Sequence, residues 1–357
     1  PPILVGHLVP STGVDAPMAE HARQGIVLAV EEVNQEDRLI QGRRVEVIHP
    51  EVGPDPEVHR AAAVRLITIN RVTALIGGSD PQQVDSLVES LGLVSETAKV
   101  PLLVTGGRPG RPANHFVFYL GMTPAYHGRI LGRFAAEEWQ GKSIAILLGV
   151  REKKEHLHRA LAEAFAKEFG KSSGQTLGPW TFKSSDDVQD LTRRVTGQGP
   201  AAILLAGSTD DLAAFSKAGL PENLPVILGG PDGSELLVTN LEISNPIYLA
   251  TAFAAQEKHE KSQDFIRRFQ ENFHAAPDVH SALAYDITRF LLEGLCNAKS
   301  LEGSKVREAL AEIKTFAGVT GDVHLNEDNT VVRPVFILKV SKGQVKTQKT
   351  YEATKDG

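Results

Sequence analysis

The sequence predicts an α/β protein of two domains, each built on a parallel, doubly wound sheet with helices on both faces. Three observations carry this expectation. A chain of 357 residues is long enough for two domains of ordinary size with separate cores. Short apolar strand runs alternate with helix-period segments four times within about the first hundred residues, the pattern of a parallel sheet covered on both faces. The same alternation resumes from Ile144 onward, as a repeat of architecture without a visible repeat of sequence.

Ile3, Leu4 and Val5 form the first strand, Pro10-Ser11-Thr12-Gly13 breaks it, and Ile26, Ala29, Val30 and Val33 recur at helical spacing. Val45 and Val47 alternate with Glu46 in a half-buried strand. Pro54-Asp55-Pro56 then starts a helix with Val58, Ala62, Leu66 and Ile69 expected on its buried face. Ala74-Leu75-Ile76 is a short buried strand, and Val84, Leu87, Val88 and Leu91 match the helical template after it. Leu102-Leu103-Val104 supplies a further strand and Phe116 to Leu120 another, leading to Thr123-Pro124, a cap followed by a first-turn proline. Beyond it, strands are expected at Ile144–Leu148, Ile203–Leu205 and Val226–Leu228, with helices around Leu157–Phe169, Val188–Val195 and Leu212–Ala218. Pro246 to Leu249 reads as a strand, Phe265–Phe273, Leu283–Leu295 and Val306–Ile313 as helices, and Val335–Val340 as a strand with a hairpin at Lys342-Gly343.

Composition excludes several function classes. A formal charge of -6 and the lack of any Lys/Arg-rich run argue against nucleic acid as a partner. No apolar stretch approaches the length needed to cross a bilayer. The chain starts at Pro1 almost directly on a strand, so the expectation is that a signal peptide has been removed or that there never was one. Cys296, the single cysteine, excludes an internal disulfide; its place in the apolar-periodic run Leu283–Ala298 leads us to expect a buried structural thiol.

The stretch G-x-L-x-P-x-T-G from Gly6 to Gly13, followed by Gly25 and a helix ending Glu31-Glu32-Val33-Asn34, resembles the opening of periplasmic solute-binding proteins of the Leu/Ile/Val-binding type. Further pieces follow in that family's order: Gly42 to Val47, Val72 to Gly78, Lys99 to Leu103, then Ala284-Tyr285-Asp286 and Phe316 to Val323. The resemblance covers nearly the whole chain. It implies a type I periplasmic binding protein, with two Rossmann-like lobes joined by a three-strand hinge that closes on a ligand. The lobes are expected at 1–120 with 250–327, and at 121–249 with 328–357.

Ligands of open α/β sheets sit outside the carboxyl ends of the strands, which narrows the candidates to strand-end loops. In amino-acid binders of this family a hydroxyl and backbone amides of the third and fourth turns hold the ligand carboxylate, as helix N-termini suit an anion. Ser79 is the nearest match in the third turn. Asp80-Pro81 stands where the family has further hydroxyls, and Asp80 also reads as a plain N-cap. In the fourth turn Thr105 is followed by Arg108, whose guanidinium can grip a carboxylate through two parallel hydrogen bonds; both Arg108 and Arg111 also read as solvated loop residues. Gly229-Gly230-Pro231-Asp232-Gly233 resembles the turn whose acid binds the ligand's α-ammonium, with Asp232 one methylene shorter, although Pro-Asp-Gly is also an ordinary turn. Thr12 and Ser208 stand behind these. The resemblance puts Met18 where an aromatic residue is common, and it leaves Val150 to Glu155 without the usual ligand-stacking tyrosine, for which Tyr119 or Tyr126 would compensate.

His156 and His158 point to different helix faces, and no His/Cys/Asp set has a metal-ligand spacing, so no metal is expected and the histidines, among them His7 and His21, read as core or solvated residues. Nucleotide-binding glycine patterns and the G-x-S-x-G elbow are absent, so neither a cofactor nor a reaction is expected. The paired acids Asp186-Asp187 and Asp210-Asp211 read as helix-start residues. The expected protein is a monomeric extracytoplasmic binder, periplasmic or extracellular, with or without a lipid anchor, that hands an amino acid or related small carboxylate or amide to an ABC permease. The alternative is the ligand-sensing domain of a signalling receptor or an amide-type regulator.

Overall fold

The computed structural model describes residues 1–9, 11, 16–35, 39–53, 55–78, 81–106, 114–150, 155–230, 243–256 and 258–353. Its chain divides into two units, unit 1 being Pro1–Met122, Glu257–Pro334 and Ala353–Gly357, and unit 2 being Thr123–Gln256 and Val335–Glu352.

Unit 1 opens with β1 (Ile3–Leu8), α1 (Ala16–Gln35), β2 (Val45–Ile48), α2 (Pro56–Thr68), β3 (Ala74–Gly77), α3 (Pro81–Gly92), β4 (Leu102–Val104) and β5 (Val117–Tyr119). The strands pair in the order β2-β1-β3-β4-β5, every pair parallel. Alternate residues of each strand enter opposite cores, Ile3, Val5, Ile76, Leu103 and Phe118 on one face and Leu8, Leu75, Leu102, Val104 and Val117 on the other. That is why these strands read as continuous apolar runs.

The chain then builds unit 2 from α4 (Pro124–Glu138), β6 (Ser143–Gly149), α5 (Glu155–Gly170), β7 (Gln175–Phe182), α6 (Ser185–Gly197), β8 (Ala202–Ala206), α7 (Thr209–Lys217), β9 (Val226–Gly229) and β10 (Ile247–Thr251). It returns to unit 1 as α8 (Glu260–Phe273), α9 (Val279–Asn297) and α10 (Gly303–Glu312), then a small antiparallel sheet of β11 (Thr315–Gly318), β12 (Gly321–Leu325) and β13 (Val331–Val332). Two antiparallel strands, β14 (Val335–Ser341) and β15 (Gln344–Tyr351), complete the sheet of unit 2 in the order β15-β14-β10-β9-β8-β6-β7. The hairpin between them turns at Lys342 and Gly343, both at positive φ.

Close helix contacts explain glycines that propensity alone would disfavour. A Cβ at Gly25 of α1 would lie 2.2 Å from the Ser281 carbonyl oxygen of α9, and one at Gly128 of α4 would lie 2.1 Å from the Leu161 carbonyl oxygen of α5. Asn34, the last residue of the Glu-Glu-Val-Asn stretch, clamps the start of β2 by donating to the Val45 carbonyl at 2.9 Å and accepting from the Val45 N–H at 3.0 Å.

Several expectations require correction. α2 buries His59, Ala63, Leu66 and Ile67, while Val58 and Ile69 are exposed. A histidine occupies a core position there because its Nε2 donates to the Gly53 carbonyl at 2.8 Å, which a hydrophobic-period reading does not detect. Cys296 is exposed: Leu291, Leu292, Leu295 and Ala298 take the buried face of α9 and leave residue 296 on the other. Tyr119 is buried in the core beneath α2 and α3, which removes it as a ligand-stacking residue. β7 went unread because it is an edge strand with a largely exposed pattern that includes Gly178 and Pro179. The second and third passages of the chain fall at 256/257 and 334/335, later than the expected 249/250 and 327/328, since β10 pairs with β14 through Thr251 and β13 stays paired with β12.

Candidate functional site

At the carboxyl edge of unit 1 the turns after β3 and β4 are fused through the backbone. Thr105 N–H donates to the Gly77 carbonyl at 3.4 Å, Gly106 N–H to the Gly78 carbonyl at 2.7 Å, and the Thr105 hydroxyl to the same Gly78 carbonyl at 3.2 Å. Gly78 has φ +74, and Gly121 packs so tightly here that a Cβ would meet the Thr105 carbonyl oxygen at 1.8 Å. In the sequence Ser79 follows the first of these turns and Arg108 stands two residues beyond Gly106. Unit 2 repeats the device at its own carboxyl edge, where Gly207 N–H donates to the Gly229 carbonyl at 3.2 Å and a Cβ on Gly230 would lie 2.3 Å from the Gly207 carbonyl oxygen.

Of the residues singled out in the sequence, Thr12, Ser79, Arg108 and Asp232 lie outside the described residues. Thr105 stands half-buried in the fused turns. Met18 is half-buried in the first turn of α1. Tyr126 lies in the first turn of α4, half-buried, with the Arg129 guanidinium 5.2 Å from its ring centroid. Ser208 is committed to its own helix: its hydroxyl accepts from Asp211 N–H at 3.2 Å and donates to the Asp211 carboxylate at 3.0 Å, a reciprocal cap on α7. Asp187 likewise accepts from the Lys183 and Ser184 N–H groups, which agrees with reading it as a helix-start acid.

A polar cluster that sequence reasoning missed surrounds the carboxyl ends of β1 and β2. His7, buried, and His49 approach Nδ1 to Nδ1 at 2.9 Å with their rings edge to face. Burial holds the His7 imidazole well below its usual pKa, with His49 and Arg23 adding to the shift; burial first and then Arg23 lower His49 to about 4. Both rings are therefore neutral near pH 7, one donating and the other accepting. Two residues before Arg23 on α1, His21 pairs with Asp278 at 2.9 Å, and Asp278 also caps α9 by accepting from Ser281 N–H at 3.0 Å. The hydrogen bond to Asp278 raises the His21 pKa. The signal was available only through sheet register: β1 and β2 pair Gly6 with Ile48, which makes His7 and His49 the next partners although 42 residues separate them.

Two further histidines hold strand-end carbonyls in unit 2. His158 Nδ1 donates to the Gly149 carbonyl at 2.9 Å, and His127 Nε2 to the Ala250 carbonyl at 2.7 Å. Among the described residues no group of three or more His, Cys, Asp or Glu side chains is placed to hold a metal ion, and no helix is long and apolar enough to cross a membrane.

Two α/β units with parallel strands, joined by repeated passages of the chain and presenting glycine-rich turns at the strand ends, define a type I solute-binding fold. The model of the family described as periplasmic binding protein matches residues 2–344, and the chain belongs to that family. Proteins it is similar to include solute-binding proteins of ABC transporters. The leucine-, isoleucine-, valine-, threonine- and alanine-binding protein of Pseudomonas aeruginosa is 22% identical over 330 residues, 89% of this chain and 84% of that protein. The branched-chain amino acid transporter substrate-binding protein LivJ of Streptococcus pneumoniae, in complex with isoleucine, superposes with a TM-score of 0.81 at 20% identity over 99% of this chain and 100% of its own. A solute-binding protein of an ABC transporter from Rhodopseudomonas palustris, in complex with 3,4-dihydroxybenzoic acid, gives a TM-score of 0.80 at 18% identity over 99% and 98%.

Proposed function

We propose that this protein captures an amino acid or a related small carboxylate outside the cytoplasm and delivers it, as a monomer, to an ABC permease without chemical change. The observation that carries the reading is the pair of fused turns after β3 and β4. They fix the ends of β3 and β4 at the carboxyl edge of a parallel sheet, just before the start of α3, and a strand end followed by a helix start suits an anion. The ligands of the similar proteins support the same chemistry, because isoleucine and 3,4-dihydroxybenzoic acid share a carboxylate and little else. In this reading Ser79, Thr105 and Arg108 receive the carboxylate, Thr12, Met18, Tyr126 and Ser208 border the ligand, and Asp232 meets an α-ammonium when there is one. Ser208 and Thr105 are the weakest of these, since the Ser208 hydroxyl already caps α7 and the Thr105 hydroxyl already donates to the Gly78 carbonyl.

A thermal-shift screen against α-amino acids, aliphatic acids, benzoates and the matching amides tests this. A ligand present at about a hundred times its Kd stabilises by roughly 2.7 kcal/mol, well within detection. An amino-acid response that Asp232→Ala abolishes assigns the ammonium position. A response confined to acids without an amine, lost in Arg108→Ala, moves the ligand class to simple carboxylates. No response to any carboxylate contradicts the reading.

A further inference from the structure

The segment Phe316 to Val323 was singled out by resemblance, yet nothing in the solute site uses it. In the structure it is the meeting point of the chain's passages out of and into unit 1. Asp286 of α9, buried, accepts from Val319 N–H at 2.8 Å, from Thr320 N–H at 2.9 Å and from the Thr320 hydroxyl at 2.6 Å. The same hydroxyl accepts from Arg333 Nη1 at 3.0 Å, and Arg333 Nη2 donates to the Leu120 carbonyl. Arg333 is 2% exposed and stands one residue before Pro334, the last residue of that stretch of unit 1; Leu120 stands two before Met122, where the chain first leaves. The remaining passage is anchored at the same turn, because the buried Ser262 at the start of α8 donates to the Val319 carbonyl at 2.7 Å and Lys261 Nζ to the Ala317 carbonyl at 2.8 Å.

The glycines fit this role. A Cβ on Gly318 would lie 2.3 Å from the Asp286 carboxylate, and Gly321, at φ +92, leaves room for the Pro334 ring, which a Cβ would meet at 2.8 Å. The first passage also touches the ligand turns, since Gly121, next to Leu120, packs on the Thr105 carbonyl.

We infer that the turn Gly318–Gly321, anchored on Asp286, is the common root in unit 1 of the first three passages of the chain between the units, at 122/123, 256/257 and 334/335. Thr320 and Arg333 are positioning residues that hold the roots as one body and confine interdomain flexing to the chain beyond them. Three independently rooted segments would flex separately, and unit 2 would then sample a wider range of positions. The inference rests on the solute-capture reading only for the use to which the motion is put.

The test is made on ligand-free protein, so that its failure is separate from failure of the ligand screen. Spin labels at the exposed native Cys296 in unit 1 and at Arg193→Cys on α6 in unit 2 report the distance distribution between the units. Thr320→Val keeps the side-chain shape and removes the link between Asp286 and Arg333. The expected result is a widened distribution, with Val319 and Thr320 amides exchanging about tenfold faster, the equivalent of one lost hydrogen bond. Thr192→Val removes a buried hydroxyl bonded to the Val188 carbonyl in unit 2 and is expected to leave the width unchanged. A Thr320→Val protein with accelerated exchange and the parent width overturns the inference. Should that variant fail to fold, Ser262→Ala carries the same test, with a widened distribution in support and the parent width against.

Discussion

The two units keep their interiors together by different means. Unit 1 removes a guanidinium (Arg333), two carboxylates (Asp278 and Asp286) and two imidazoles (His7 and His59) from water. In unit 2 the buried polar side chains among the described residues are His158, Thr192, Asp211, Asn245 and Thr251, and the one acid among them caps its own helix. Its α4–α5 contact instead rests on glycines, with Gly132 giving a Cβ position 2.7 Å from the Phe165 carbonyl oxygen, and α4 packs on β10 through Phe134, which lies against Trp139 and Tyr248. A buried polar network is unforgiving of a single deletion and sensitive to pH, whereas an apolar contact is sensitive to volume.

Fluorescence can separate the two, because both tryptophans, Trp139 and Trp180, belong to unit 2. The largest effect is expected from Asp286→Ala, which strands the Val319 and Thr320 N–H groups and takes the acceptor from the Thr320 hydroxyl, a loss of about 1–3 kcal/mol for each stranded group. In urea, circular dichroism should then show an early transition that tryptophan fluorescence does not follow. Gly128→Ala should do the reverse, bringing the fluorescence transition forward by about 1–3 kcal/mol through overpacking against Leu161. Coincident transitions in both variants would mean that the units do not differ in this way.

The histidines of unit 1 give a smaller, pH-dependent contrast. His7 and His49 have folded pKa values below that of the unfolded chain, so between about 6.5 and about 4 the unfolded state binds more protons. Stability from this pair is fully present above about pH 6.5 and is lost as pH falls toward His49's value of about 4. His21 has the opposite sign: its pKa is raised by Asp278, so its contribution is present below the unfolded value and is lost as pH rises through the folded one. Denaturation midpoints against pH, read by circular dichroism, should therefore show an acid limb that His49→Gln flattens and an alkaline limb that His21→Gln flattens. The smallest effect is expected at Arg193→Ala, whose partner Asp190 is as exposed as the arginine itself, with a change under about 0.5 kcal/mol.

Much of the scaffold was legible, and for one reason: apolar periodicity reports burial, and these strands are buried on both faces. What escaped were elements whose burial is polar or absent. His59 hid in an apolar stripe, β7 lies at an exposed edge, and the small sheet β11-β12-β13 has too few core positions to show a period. The family signatures were found, but their roles were not. Glu32, in the Glu-Glu-Val-Asn stretch, accepts from the Tyr285 hydroxyl at 2.7 Å and pairs with Arg268 at 2.6 Å, while Asp286 and the Phe316–Val323 segment form one knot. These hydrogen-bonded partners lie 33 or more residues apart and meet only in the fold, so spacing carries no trace of them. Thr105, proposed for the solute site, was reached from the family's order of turns, whereas the His7–His49 pair required knowledge of the parallel register.

The most direct test of the account is calorimetric titration of the protein with L-leucine against L-leucinamide and with benzoate against benzamide. If a carboxylate anchored beside the fused turns defines the ligand, at least one acid should bind and its amide should lose about 1.5–3 kcal/mol, the contribution of a charge-assisted hydrogen bond. Equal binding of acid and amide, or binding of neither acid, would contradict it.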